Sequence, residues 1–355
     1  MSNPRVAELN PTADAALLEV RNLTKYFARQ SGMFSSKRGI IAAVEDISFD
    51  IRRGETFGLV GESGSGKSTT GRLILRLIEA TRGDCLYNGE QIFQVDRQRM
   101  RQLRREMQIV FQDPYGAFNP RMTIGQILGE ALELRDIHSH SERDAEIRRL
   151  LEMVQMPTDI SSRFPHEFSG GQRQRLSIAR ALAVNPKFIV ADEPLSALDV
   201  STQAEIVNLL LDLQERLNLT MMFISHDLSV VRVLCDRVAV MFGGRILELA
   251  ESRHLFANPL QPYTQELLKA VPVPDPVHAR ERREAQAGTQ GQSAAAGDII
   301  APARVTEGCP FAARCPHTME ICWKQMPPLV DYSSRSGEDA IHLAACHWVD
   351  QNVKS

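Results

Sequence analysis

The chain has 355 residues, 43% of them hydrophobic and 24% charged, with a formal net charge of −3. That length suggests about two domains, at roughly 150 residues each, and a core large enough to need no disulfide staples. A mean hydropathy of −0.21 and no apolar run of about 18 residues argue against a membrane span, and the near-neutral charge gives no support for nucleic acid as the main partner.

The stretch Met1–Val20 mixes Asn, Pro, Asp and Glu and has no apolar h-region, so no signal peptide is expected. The expectation is a soluble, intracellular protein that reaches a membrane only through a partner, with residues 1–16 as a flexible N-terminus. Leu17–Phe27 and Ala42–Ile51 read as β-rich segments joined by the polar stretch Ala28–Ile41. Thr56–Val60 is a short apolar strand that runs into Gly61, Gly64 and Gly66, followed by Leu73, Ile74, Leu77 and Ile78 at helical spacing. Gln108–Phe111 is strand-like. Residues 123–183 carry a helical pattern without a strand of their own and are expected to form an inserted helical subdomain.

Lys187–Ala191 and Met221–Ile224 are two more apolar runs, with Ile206, Leu209, Leu210, Leu213 and Leu217 at helical spacing between them. Such alternation implies parallel strands with helices on their faces. Arg237–Phe242 and Arg245–Leu249 flank Gly243-Gly244, a hairpin signal. After Ala270 the composition becomes that of a linker: Val271–Pro276 alternates with Pro, Ala279–Glu284 is charged, and Gln286–Gly297 is rich in Gly, Gln, Ala and Ser. The tail beyond about Thr306 is expected to be a small, separately folded module. No internal repeat is visible.

Gly61-Glu62-Ser63-Gly64-Ser65-Gly66-Lys67-Ser68 fits G-x-x-x-x-G-K-[ST]. Its glycines let the backbone wrap phosphate oxygens with N–H groups pointing inward, and the helix starting at Lys67 adds a positive N-terminus. Lys67 is expected to neutralise β- and γ-phosphate charge and Ser68 to offer its hydroxyl to Mg²⁺. Ser63 and Thr69 are counted with the nucleotide-binding set. Phe188-Ile189-Val190-Ala191-Asp192 ends an apolar strand on an acid, and Glu193 follows. Asp192 is suited to holding Mg²⁺, and Glu193 to orienting or deprotonating an attacking water.

The tail cysteines Cys309, Cys315, Cys322 and Cys346 are spaced C-x5-C-x6-C-x23-C. A cytosolic chain rarely keeps disulfides, so the crowding points to a metal or a cluster. A zinc ribbon would show two tight C-x2-C pairs, and neither is present. Chemistry alone ranks zinc first, with His317, His342 or His347 as alternative ligands.

Phe168-Ser169-Gly170-Gly171-Gln172, taken with these motifs, resembles the signature of ATP-binding cassette (ABC) proteins. Phe168 replaces the more usual Leu. Ser169 caps a helix whose N-terminus suits a γ-phosphate. Because the chain already has one phosphate loop, this second grip is suited to ATP held by another subunit. The resemblance continues in order along the chain. Gln112 matches the Q-loop glutamine that touches Mg²⁺, Ser196-Ala197-Leu198-Asp199 matches the D-loop, and His226 matches the switch histidine. Phe27, or alternatively Tyr26, matches the aromatic that stacks on adenine. The resemblance covers residues 17–255. It implies an α/β fold: a P-loop core with a RecA-like parallel sheet, an antiparallel β subdomain and the inserted helical subdomain.

Asn258–Leu268, with Gln261 where His is usual before Pro-Tyr-Thr, resembles the C-terminal extension of dipeptide and oligopeptide importer ATPases. So do Gly308–Phe311, Arg314-Cys315, Cys322 and Ala345-Cys346. Gln112–Gly116 with Asn119-Pro120-Arg121 looks like the Q-loop region of these importers, and Gly32–Gly39 ahead of Ala43-Val44 looks like their F subunit. The resemblance places the extension and linker at residues 256–305 and the cysteine module at residues 306–355. It implies an Mg²⁺-dependent ATPase peripheral to the cytoplasmic face of a bacterial cell membrane. The implied partners are a homologous ATPase, two transmembrane permease subunits and, indirectly, an extracytoplasmic binding protein. A [4Fe-4S] cluster on the four cysteines is implied as well, with zinc as the alternative. The family's cargoes include peptides, nickel, opines, glutathione and sugars. A soluble cassette ATPase of DNA repair or translation is the competing class. However, repair members interrupt the cassette with long coiled coils, whereas loop and signature here are about a hundred residues apart. Translation members carry two cassettes, and a P-loop kinase leaves Phe168–Gln172 without a role.

Overall fold

A computed structural model describes residues 16–28, 40–113, 116, 118–137, 139–270, 307–333 and 340–352. The expected linker after Ala270, the Gly32–Gly39 loop, the N-terminal residues 1–15, and Pro114 and Tyr115 of the Q-loop lie outside the described residues.

Two sheets carry the fold. Strands β1 (Ala16–Ala28), β2 (Ile40–Arg52), β4 (Arg82–Tyr87) and β5 (Glu90–Gln91) form a four-stranded antiparallel sheet ordered β2-β1-β4-β5. The second sheet has eight strands, ordered β11-β12-β10-β9-β3-β8-β7-β6. Its strands are β3 (Thr56–Val60), β6 (Met107–Val110), β7 (Phe188–Asp192), β8 (Thr220–Ser225), β9 (Arg237–Phe242), β10 (Arg245–Glu251), β11 (Val330–Asp331) and β12 (His342–Ala344). Strands β9, β3, β8, β7 and β6 run parallel, and β10, β12 and β11 continue antiparallel. Strands β3, β7 and β8 read as near-continuous apolar runs because both faces are covered. Along β8, Met221 and Phe223 enter the core shared with the helical insert, while Met222 and Ile224 enter the core under the antiparallel sheet.

The regular structure described within residues 123–183 is helical, with α3 (Ile124–Glu133), α4 (His140–Met153), two 3-10 turns and α5 (Gly170–Leu182) joined by turns. Thr123 starts α3 through a capping box with Gln126. The remaining helices are α1 (Lys67–Ile74), α2 (Arg97–Glu106), α6 (Val200–Leu217), α7 (Leu228–Leu234), α8 (Ser252–Ala257), α9 (Pro262–Ala270), α10 (Glu320–Lys324) and α11 (His347–Asn352). No described helix is long and apolar enough to cross a membrane.

The tail does not stand apart. Strand β12 pairs with β10, with Leu249 opposite Leu343 and Ala250 opposite His342. Cys309, Phe311, Ala312 and Cys322 bury in the same core as the helical insert. The tail obtains burial by extending the cassette's sheet and core.

Candidate functional site

The phosphate loop joins β3 to α1, which begins at Lys67. Gly61 has φ 152°, and a Cβ there would lie 2.1 Å from the Met241 carbonyl oxygen. At Gly66, with φ 109°, a Cβ would lie 2.3 Å from the Ala43 carbonyl oxygen. Both positions therefore exclude any side chain. The Gly244 N–H donates to the Ser65 carbonyl at 2.9 Å, so the β9–β10 hairpin props the loop from outside. Ser65 Oγ is buried without a protein partner, as suits a loop built around a polar ligand. Ser63 and Gly64 are exposed, Ser68 and Thr69 are half-buried, and all flank the loop's mouth or the first turn of α1.

Lys67 is 3% exposed and donates through Nζ to the carbonyls of Gly61 at 2.7 Å and Glu62 at 2.9 Å. Burial lowers its pKa, opposed by Glu193, Asp192 and Glu62. The Ser68 hydroxyl donates to Asp192 at 2.6 Å. Burial raises the Asp192 pKa. Together these oxygens form a pair suited to a hard cation.

Glu193 is the hub. It leaves β7 in the left-handed region, φ 46°, with its N–H donating to the Ile224 carbonyl at 3.0 Å. That conformation is costly for a residue with a Cβ and is typical of functional sites. One carboxylate oxygen lies 3.9 Å from Lys67 Nζ. The other accepts from Gln112 Nε2 at 3.2 Å and lies 3.3 Å from His226 Nδ1. Gln112 follows β6 and His226 follows β8, so the strands on either side of β7 deliver their groups to the point where Glu193 leaves it.

Ser169 caps α5: its Oγ accepts from the Gln172 N–H at 3.3 Å, and the Gln172 side chain accepts from the Ser169 N–H at 3.0 Å. Ser169 and Gln172 are exposed and bond each other, which leaves the helix N-terminus facing outward. Gly170 comes within reach of Leu198, and a Cβ on Gly171 would lie 2.2 Å from Thr202 Cγ2. Thr202 belongs to the helix capped by Asp199, which accepts from the Thr202 N–H at 2.9 Å and the Ser201 hydroxyl at 2.6 Å. The Ser201 and Thr202 bonds lower the Asp199 pKa to about 2. Signature and D-loop are thus packed as one unit. At the far side of the site, Phe27 is 40% exposed, while Tyr26 is held by a bond to Glu45 at 3.3 Å. The Lys25 ammonium lies 5.0 Å from the Phe27 ring centre.

Three residues outside the invariant positions of the ATP motifs meet at the phosphate loop. The Glu62 N–H donates to Tyr263 Oη at 3.0 Å, and Arg314 donates to both Glu62 carboxylate oxygens at 2.9 Å. Tyr263 belongs to the Pro-Tyr-Thr motif and Arg314 precedes Cys315, so both motifs were visible in the sequence while their target was not.

Burial pushes the Cys309 thiol up to about 12, with Cys346, Cys322 and Cys315 adding to the shift. Burial raises Cys346 too, with Cys315 and Cys322 adding. Thiols crowded in this way resist ionisation unless a cation lies among them. Among the described residues no three His, Cys, Asp or Glu side chains are gathered as ligands of one ion, so the expected cysteine site is not assembled in the observed fold.

Comparison with known proteins agrees with the geometry of the ATP motifs. Residues 44–196 match the ABC transporter family model, and residues 247–322 match the oligopeptide/dipeptide transporter C-terminal region. A putative peptide import ATP-binding protein of Brucella ovis is 49% identical over 94% of this chain and 98% of its own length. The oligopeptide transport ATP-binding protein AppF of Bacillus subtilis is 44% identical over 93% of this chain and 97% of its own. Among solved structures, a dimeric ATP-binding cassette in a post-hydrolysis state with ADP and Pi superposes with TM-score 0.59 at 30% identity, covering 66% of this chain and 99% of that one. The cbiO1 protein of Clostridium perfringens gives TM-score 0.60 at 25% identity over 78% of this chain and 99% of that one. The chain therefore belongs to the ABC transporter family, in the group of ATP-binding proteins that carry the oligopeptide/dipeptide transporter C-terminal region.

Proposed function

We propose that this chain is the ATP-hydrolysing subunit of a peptide importer. The observation that carries the reading is the convergence of Lys67, Gln112 and His226 on the Glu193 carboxylate, beside the Ser68–Asp192 pair and ahead of the peptide-importer type of C-terminal region. Gly61, Gly64 and Gly66 let the loop close on the triphosphate, whose β- and γ-phosphate charge Lys67 neutralises. Ser68, Asp192 and Gln112 would hold Mg²⁺, which would supply charge neutralisation on the phosphates. Glu193 takes the proton of the attacking water, and His226 fixes the Glu193 carboxylate and faces the γ-phosphate. Phe27 stacks on adenine.

The site works across a dimer with a homologous ATPase: Ser169, Gly170, Gly171 and Gln172 of one subunit close on the nucleotide of the other, and Asp199 lies at their junction. Two transmembrane permease subunits contact the region Gln112–Arg121 from the cytoplasmic face of the membrane, and an extracytoplasmic binding protein supplies the peptide. Among the described residues the four tail cysteines are not gathered around one ion, so only the resemblance carries a [4Fe-4S] cluster there, and visible absorption with iron and sulfide analysis of the purified chain tests it against zinc.

The deciding experiment is Glu193→Gln. It is expected to bind MgATP normally, to lose turnover by about 10²- to 10³-fold, and to accumulate as an ATP-bound dimer in size-exclusion chromatography. Unchanged turnover would remove Glu193 from the role of base. Affinity purification from solubilised membranes tests the transport reading through recovery of a second cassette ATPase and two permeases.

A further inference from the structure

Glu62 occupies a position of the phosphate loop that the motif leaves open, yet it is held at three points. Its N–H donates to Tyr263 Oη at 3.0 Å. Its carbonyl accepts from Lys67 Nζ at 2.9 Å. Both of its carboxylate oxygens receive Arg314, each at 2.9 Å, a two-pronged geometry that fixes direction as well as distance. Tyr263 and Arg314 both belong to the C-terminal region, outside the ATP motifs.

The holders are themselves fixed. Tyr263 is fully buried, with its ring 4.6 Å from that of Phe242 and 5.3 Å from that of Phe311. Phe242 ends β9, next to the hairpin that props Ser65. The Arg314 guanidinium lies 5.6 Å from the ring centres of both Phe242 and Phe311 and also pairs with Glu266. A Cβ on Gly243 would lie 2.8 Å from Pro310 Cβ, so the tail presses directly on the hairpin turn. The C-terminal region thus grips the phosphate loop at Glu62 and braces the hairpin behind it.

We propose that Tyr263 and Arg314 are positioning residues for nucleotide binding: they hold Glu62 so that the loop is concave before ATP arrives. The proposal rests on the ATPase reading given above. A loop already in its bound shape loses less freedom when the ligand arrives, which strengthens binding without any new contact to the ligand. Arg314 has a second effect. Glu62 is 41% exposed at the mouth of a site for a polyanion, and pairing it with a guanidinium cancels a repulsion that an unpaired carboxylate would exert. The Tyr263 hydroxyl accepts the Glu62 N–H and so ties the loop backbone to the C-terminal region. The tail therefore acts on ATP affinity from outside the nucleotide's reach.

The test uses the full chain, a fluorescent ATP analogue with Mg²⁺, and thermal unfolding of every variant. Arg314→Ala is expected to weaken binding about two- to fivefold, the range for a half-exposed ion pair, and Glu62→Ala by less, because it also removes the carboxylate whose repulsion Arg314 cancels. The double substitution should be no worse than either single one. Exchanging the charges, Glu62→Arg with Arg314→Glu, should restore part of the affinity, because the pair re-forms with its polarity reversed; Glu266, beside position 314, limits the recovery. Tyr263→Phe keeps the aromatic packing and should weaken binding while leaving the melting temperature nearly unchanged. A merely structural tail would lower melting temperatures and leave affinity alone. That result overturns the proposal, as does a Glu62→Ala chain that binds as tightly as the unaltered one, or a charge exchange that restores nothing. An unaltered chain that binds no nucleotide would instead overturn the ATPase reading itself.

Discussion

Glu248 offers the sharpest test of how the C-terminal region is held to the cassette. It lies in β10 at 0% exposure. One carboxylate oxygen accepts from the Leu260 N–H at 2.7 Å and lies 2.7 Å from His342 Nε2, and the other accepts from the Gln261 N–H at 3.1 Å. Glu248→Ala takes the acceptor from the buried Gln261 N–H and the part-buried Leu260 N–H and removes the polar partner of the buried His342 ring. At about 1–3 kcal/mol for each such group, and with some relaxation, the cost is about 3–6 kcal/mol. That is a large part of a typical stability of about 5–15 kcal/mol. Glu248→Gln keeps the volume but turns one acceptor into a donor, which leaves one partner unmatched at about 1–3 kcal/mol. Thermal unfolding should show a fall on the order of 10 °C for Glu248→Ala and about a third of that for Glu248→Gln. Adding His342→Ala to Glu248→Ala should cost clearly less than the sum of the single changes, since both remove the same bond. Melting within about 1 °C of the unaltered chain for both Glu248 variants would refute the reasoning, as would strict additivity with His342→Ala.

Three further outcomes follow from the site and its helical insert. Lys67→Ala removes a buried cation whose Nζ stands on the loop carbonyls, and titration with a fluorescent ATP analogue should show affinity reduced by at least about tenfold. Gly61→Ala meets the Met241 carbonyl 2.1 Å from the new methyl group, whereas Gly64 has φ 78° and no atom within 4 Å. The same titration should therefore show Gly61→Ala far more damaging than Gly64→Ala, and equal effects would contradict the loop geometry. In the helical insert, bonds from Arg149 and Arg135 lower the Glu146 pKa from 4.5 to about 2. Because the folded value lies below the unfolded one, the stability from this group is fully present above pH 4.5 and lost as pH falls towards 2. Glu146→Gln should thus melt below the unaltered chain at neutral pH, with the gap narrowing as the buffer falls below pH 4.5; a gap independent of pH would remove these pairs as its cause.

Much of the fold was legible because its signals are local. A strand buried on both faces is an apolar run of a few residues, and β3, β7 and β8 all read that way. The phosphate loop was legible for the same reason, since its backbone shape is set by glycines within one short segment. The β4–β5 hairpin went unread although Tyr87-Asn88-Gly89-Glu90 carries the Asn-Gly turn, with φ 51° and 78° at its two central residues. Its second strand has only two residues, too few for any alternation to show. Strands β11 and β12, of two and three residues, are invisible for the same reason. β12 is a strand because β10 offers it an edge, and β11 because β12 offers the next one.

Glu62 shows where local reading ends. Within the phosphate-loop motif its identity is free, because the motif constrains only the backbone around it and the lysine that follows. Its two tail partners lie 201 and 252 positions away, and no periodicity links residues at that distance. Tyr263 and Arg314 each stand in a neighbouring pattern, the Pro-Tyr-Thr run and the cysteine spacing, and neither pattern points at the loop. The contact exists because the tail extends the cassette's sheet through β12 and shares its core through Phe311, which together bring Arg314 over β9 and onto the loop mouth. A carboxylate that looks interchangeable in the one-dimensional motif is therefore specified by the part of the chain farthest from it, and substitutions at Glu62 are expected to be tolerated only when position 314 changes with it.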